Sequence, residues 1–120
     1  MANPQAGIPP QIQQQLAMFQ QIQQQLQQVS SQKMQYDAQK RELARTLEEL
    51  KTCTGAVYKN SGSLLIKVED KDALVAEMEE SIEMMDVRIG SLERQENSLK
   101  ERYTVLQQTI NTAMGNAPTQ

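Results

Sequence analysis

The sequence predicts an all-α dominated fold: a long antiparallel two-helix coiled coil with one central β-hairpin. Two long segments carry apolar residues at alternating three- and four-residue spacing, and a short stretch between them is rich in strand-forming residues. The composition leaves little else to build from. With 38% hydrophobic residues, one phenylalanine and three tyrosines in 120 residues, the chain forms one domain at most, without the material to enclose a large substrate pocket.

In the first segment a heptad frame puts Leu26, Lys33, Lys40 and Leu47 at a, and Ile22, Val29, Tyr36, Leu43 and Leu50 at d. Ile12, Leu16 and Phe19 continue the stripe toward the N-terminus. There the three-residue step from Leu16 to Phe19 is repeated from Phe19 to Ile22, which reads as a stammer that locally overwinds the seam. Pro10 suits the first helical position, where no N–H is needed, and Gly55 suits a left-handed cap just past the last periodic residue. Helix one is expected over 11–53, roughly 60 Å at about 1.5 Å per residue, after a flexible segment 1–10.

The hairpin is expected over 54–69, "TGAVYKNSGSLLIKVE". Its halves "AVYK" and "LLIKV" favour strand, and "NSG" between them offers Asn60 and Gly62, which tolerate the positive φ of tight turns. Alternation sends Leu64, Ile66 and Val68 to one face and Leu65, with Lys67 and Glu69, to the other. A lone two-stranded ribbon is marginal in water, and nothing else in the chain supplies a second layer. Either it packs on its own helices as a self-sufficient turn, or its missing strands come from other chains. The small area available for the first arrangement favours the second, with Val57, Tyr58, Leu64, Leu65, Ile66 and Val68 as the subunit interface.

The second helix is expected over 70–113, before a flexible tail 114–120. Its frame is cleaner, with Val75, Ile82, Ile89, Glu96, Tyr103 and Ile110 at a and Met78, Met85, Leu92, Leu99, Leu106 and Ala113 at d. Asp70 is the expected N-cap, and Asp72 places negative charge at the positive end of the helix dipole. Two helices of matched length around a short insert fold back on one another, with Leu47 facing Met78, Leu43 facing Ile82, Tyr36 facing Ile89 and Leu26 facing Leu99. Lys33 and Glu96 interrupt the stripe within one layer of each other; they either pair or reach out of the seam to water, and both outcomes help set the register.

Charge is confined to the middle of the chain. Every Lys, Arg, Asp and Glu lies between Lys33 and Arg102, and antiparallel packing brings the two neutral stretches to the same open end. Ile8, Ile12, Leu16, Met18, Phe19 and Ile22 meet Tyr103, Leu106, Ile110 and Met114 there, among glutamines that are good helix formers. These residues either close the coil or, through fraying and flexible thioethers, offer an adaptable apolar binding surface.

Several function classes are excluded or disfavoured. A net charge of −3 argues against nucleic acid as a partner. No uninterrupted apolar run is longer than four residues, far short of the roughly 20 residues that span a bilayer, and the N-terminus lacks a signal-like core, so no membrane is implied and the chain reads as cytoplasmic. Histidine is absent and Cys53 is the only cysteine, which removes the commonest general base and any cysteine-based metal site. No catalytic residue, metal ligand or cofactor is expected, and the chain does not read as an enzyme.

These residues resemble the β-type subunits of the prefoldin family, most closely the archaeal ones. "PPQIQQQLAMFQQIQQQLQ" is similar to the family's Gln-rich first helix, "VYKNSGSLLIKV" to its single central hairpin and "SLERQENSLKERYTVLQ" to its second helix, so the resemblance covers nearly the whole chain. It implies an ATP-independent molecular chaperone, a holdase subunit without nucleotide or other cofactor. Two α-type and four β-type subunits would form a hexamer, joining their hairpins in an intersubunit β-barrel platform. Unfolded client proteins would be held at the coiled-coil tips and passed to a group II chaperonin. The assembly hairpin then corresponds to Ala56–Lys59 and Leu64–Val68, and the client-contacting ends to the apolar residues around Ile12–Phe19 and Leu106–Met114. An α-type subunit carries two hairpins, and this sequence has room for one. The uncharged "GNAPTQ" tail departs from charged or longer ends in the family, so no chaperonin-docking residue is carried over. The competing classes are a structural coiled-coil scaffold and an adaptor with one specific partner.

Overall fold

A computed structural model of the chain describes residues 9–115, so Ile8 and most of the two terminal segments lie outside the described residues. The element order is α1 (Pro10–Thr52), β1 (Tyr58–Ser61), β2 (Leu64–Lys67) and α2 (Lys71–Ala113). The described residues form two compact units. One pairs α1 up to Gln32 with α2 from Leu92; the other runs from Lys33 to Ser91 and contains the hairpin.

Helix α1 continues for 43 residues because nothing after Pro10 breaks it: the segment is Gln, Leu, Ala, Glu and Lys rich and free of glycine. At its start the Pro9 carbonyl accepts from the N–H groups of Ile12 (3.0 Å) and Gln13 (3.1 Å). At its end the Lys71 ammonium donates to the Cys53 carbonyl, satisfying an acceptor that the helix cannot. The left-handed cap expected at Gly55 is absent, since positive φ among the described residues occurs only at Gly62 and Gly115. Helix α2 begins as expected, with Asp70 Oδ1 accepting from the Ala73 N–H at 3.0 Å.

In the first unit the inward side of α1 runs Ile12, Gln15, Phe19, Ile22, Leu26 and Val29, each buried or half-buried. That spacing is an unbroken heptad through Gln15, while Leu16, through which the expected stammer runs, is half-buried to the same degree. Gln15 takes the d position, and Leu16 lies half-buried beside it. Its long aliphatic stem lets a glutamine occupy a seam layer without rotating the helix out of register. Facing elements of α2 contribute Leu92, Glu96, Leu99, Tyr103, Leu106 and Ile110. Glu96, only 8% exposed, accepts from Ser30 Oγ at 2.5 Å, which compensates part of the carboxylate's desolvation and ties the two helices in one register.

The second unit is built on Leu43, Leu47 and Leu50 of α1 with Val75, Met78, Ile82, Met85 and Ile89 of α2, all buried or half-buried. Each such side chain, when fully buried, contributes about 1.5–3 kcal/mol. Lys40, at an a position, lies along the seam and ion-pairs with Asp86 at its margin. Tyr36 OH accepts from Arg88 at 3.1 Å, and the guanidinium stands 5.8 Å from the tyrosine ring centre.

The hairpin pairs Tyr58 with Lys67, Lys59 with Ile66, Asn60 with Leu65 and Ser61 with Leu64. The ladder continues where the Val68 N–H donates to the Val57 carbonyl at 2.8 Å. Only Gly62 and Ser63 are left for the turn. Gly62 has φ +61° and Ser63 no positive φ, the pattern of a type II′ turn, in which glycine takes the first central position. Asn60 is thus a strand residue, not a turn residue. Gly62→Ala forces a Cβ into the left-handed region and destabilises the hairpin by about 1 kcal/mol, whereas Gly55→Ala, with open space around its Cβ and no positive φ, changes stability by less than about half that. Denaturant melts of the two variants, compared with the unaltered chain, check this contrast.

Candidate interaction surfaces

Two surfaces stand out, one in each unit. In the second, all eight residues of β1 and β2 are exposed. The register sorts them. Lys59, Ser61, Leu64 and Ile66 share one face with Val57 and Val68, while Tyr58, Asn60, Leu65 and Lys67 share the other. Leu64 is 65% and Ile66 50% exposed, and on the opposite face Tyr58 and Leu65 sit diagonally across the strands, also exposed. Val57 and Val68 are half-buried. Every predicted interface residue therefore lies on this ribbon, and apolar side chains occupy both of its faces. Its two outer edges present unpaired backbone groups, since the described sheet has two strands only.

In the first unit the neutral end divides into two sets. Ile12, Ile22 and Ile110 are buried, Ile22 to 3% exposure, and close the seam. Phe19 and Tyr103 are half-buried and stacked, with ring centres 4.6 Å apart and planes at 29°. Leu16 and Leu106 are half-buried as well. Of the predicted binding residues described here, Met18 and Met114 are exposed. A shallow groove of about 360 Å³ runs between the helices, lined by Met18, Ile22, Leu106 and Val105, with Glu101 and Arg102 at its margin.

Val105, 63% exposed, is the residue that sequence reasoning missed. It falls between the a residue Tyr103 and the d residue Leu106, outside the a and d positions, and lines the groove while exposed. An apolar residue at an outward heptad position was the available signal. The same signal marks Met34, Met84 and Val87 in the second unit, all exposed.

Among the described residues no group of three or more His, Cys, Asp or Glu is placed to hold a metal ion. Cys53 is half-buried, with its sulfur 3.8 Å from the Gly55 carbonyl. No helix among these residues is long and apolar enough to cross a membrane.

Comparisons with known proteins converge on one family. A family model described as "Prefoldin subunit" matches residues 13–117. The chain is 42% identical over 110 residues to the prefoldin subunit beta of Methanococcoides burtonii, covering 90% of this chain and 93% of that protein. It is 39% identical over 110 residues to the prefoldin subunit beta of Thermococcus kodakarensis, with the same coverage of 90% and 93%. The crystal structure of the prefoldin beta subunit from Thermococcus strain KS-1 superposes with a TM-score of 0.81 at 39% identity, covering 89% of this chain and 95% of that one.

Proposed function

Since the chain belongs to the prefoldin family, we propose that its two exposed apolar surfaces divide the work of a chaperone subunit between assembly and client holding. Prefoldin is a chaperone family, and this chain is a chaperone subunit that assembles with other prefoldin subunits. The hairpin supplies the contacts to those subunits: four copies of this chain and two of an α-type partner complete one another's β-layers in a barrel. The neutral end holds unfolded polypeptides by apolar burial, without nucleotide, in the cytoplasm, and releases them to a group II chaperonin. No catalytic step is required.

The observation that carries this division is the exposure of Leu64 and Ile66 on a two-stranded ribbon that has no second layer among the described residues. A monomer would leave that apolar area in water, and only strand partners can both cover its faces and satisfy its edges. Support for the holding role comes from Met18, Val105 and Met114, exposed at an end with no charged residue before Lys33 or after Arg102.

The test is aggregation of a chemically unfolded protein, followed by light scattering with and without the assembled complex and without ATP. Suppression near equimolar complex is expected for several unrelated polypeptides. Because apolar burial is insensitive to ionic screening, it should persist in moderate salt. Protection of one particular protein and no other would replace this reading with that of a specific adaptor.

A further inference from the structure

Outside the hairpin, the exposed large apolar residues of the second unit are Met34 on α1 and Met84 and Val87 on α2. Each belongs to a stripe of exposed residues turned away from the seam. On α1 the stripe runs Met34, Ala38, Arg41 and Arg45, and on α2 it runs Glu77, Glu80, Met84 and Val87. Steps of three and four residues keep each stripe on one side of its helix. The charges have no use within the chain. Arg41 and Arg45 are like charges about one turn apart, as are Glu77 and Glu80, an arrangement that destabilises an isolated helix. Among the described residues none of the four is ion-paired, and the Lys40–Asp86 pair engages neither stripe.

We propose that the two stripes are the halves of a lateral contact between copies of this chain, in which α1 of one copy lies antiparallel along α2 of its neighbour. In that orientation Met34 packs on Val87, and the small Ala38 leaves room for Met84. Arg41 then meets Glu80, and Arg45 meets Glu77. A parallel arrangement would set Met34 against Glu77 and Arg45 against Val87, so apolar burial and charge select the antiparallel one. Helix α1 runs toward the hairpin and α2 away from it, so this contact places both hairpins at the same end. Arg45 and Glu77 each stand about two turns from the hairpin ends of their helices, which sets the hairpins nearly level. The contact therefore suits chains joined through their hairpins, and it rests on that reading of the hairpin. So small a patch is weak between free chains. Chains held by their hairpins meet at an effective concentration on the order of millimolar, where a weak contact is populated. Because the two stripes differ, the contact is heterologous, and one copy can engage one neighbour through α1 and another through α2.

The experiment uses the complete complex with a cysteine-free α-type partner and Cys53→Ser in this chain, so that disulfides form only between introduced cysteines. Ala38→Cys and Met84→Cys lie on different helices and face away from the seam, too far apart to bridge within one chain. Under mild oxidation they should link two copies at least about tenfold faster than Ala38→Cys with Ser91→Cys, which moves one thiol about 10 Å along α2. Arg41→Glu with Arg45→Glu should slow the first cross-link about tenfold, because two attractions become two repulsions. Adding Glu77→Arg and Glu80→Arg should restore it. Rates are compared for complexes that sediment at the unaltered size. Equal rates for the two cysteine pairs, a rate that falls on dilution of the complex, or charge reversal without effect or without rescue overturns the inference and leaves the hairpin reading in place. Failure of the unaltered chain to assemble with its α-type partner overturns that reading, and the inference with it.

Discussion

Replacing Leu64 and Ile66 together by lysine should disperse the assembled complex into smaller species while leaving α1 and α2 formed. The two residues share one face of the hairpin with Val57 and Val68, and both are exposed in the isolated chain. If partner strands cover that face, each hairpin loses about 3–6 kcal/mol of apolar burial from the pair, enough to weaken an interface more than a hundredfold. The new ammonium groups add to this. Ile66 pairs across the strands with Lys59, so Ile66→Lys sets two like charges opposite one another, and neither has a buried partner. Helical content should survive because no seam residue of either unit is altered. Sedimentation velocity of the doubly substituted chain with its α-type partner, alongside circular dichroism, reads both effects; a complex of unchanged size would sink the assigned role of this face.

Removing residues 1–15 and 108–120, with Met18→Ser and Val105→Ser in the remaining coil, should abolish client retention and spare assembly. The deletion takes away Ile12, Gln15, Ile110 and Met114, and the substitutions clear the exposed apolar groups that line the groove. The hairpin belongs to the other compact unit and keeps its whole sequence, so the complex should sediment close to its normal size after allowance for the lost mass. The Phe19–Tyr103 stack remains to close the shortened end. A complex altered in this way that still prevents aggregation at the unaltered molar ratio would move the holding surface elsewhere, first to the exposed Met84 and Val87 on α2.

Much of the fold was legible because it rests on local, periodic physics. In α2 the expected a and d residues from Val75 to Ile110 are all buried or half-buried, since a helix of fixed pitch carries one stripe toward its partner whatever the partner's details. The Asp70 cap was readable for a similar reason: a short acceptor just before a helix meets exposed N–H groups only three residues away. Errors arose where a rule of thumb about residue type replaced geometry. The apolar stripe runs through Leu16, whereas the heptad spacing from Ile12 to Phe19 runs through Gln15, and both are half-buried. Asn60 and Gly62 were both admitted as turn residues, and only the strand register could choose Gly62.

By itself, then, the sequence determined the two helices, the hairpin between them, the uncharged ends and the exposure of the ribbon's apolar face. Each follows from spacing or composition within a few residues of chain. The tertiary structure alone decided which apolar residues of the neutral end are locked into the seam, as Ile22 and Ile110 are, and which stand outside it, as Met18 and Val105 do. It also decided that Lys71 rather than Gly55 completes the end of α1, and that Ser30 donates to Glu96. Those outcomes depend on side-chain reach across from a second element far away in sequence. Periodicity says which side of a helix is buried, but only the facing atoms determine how deeply, and with what partner.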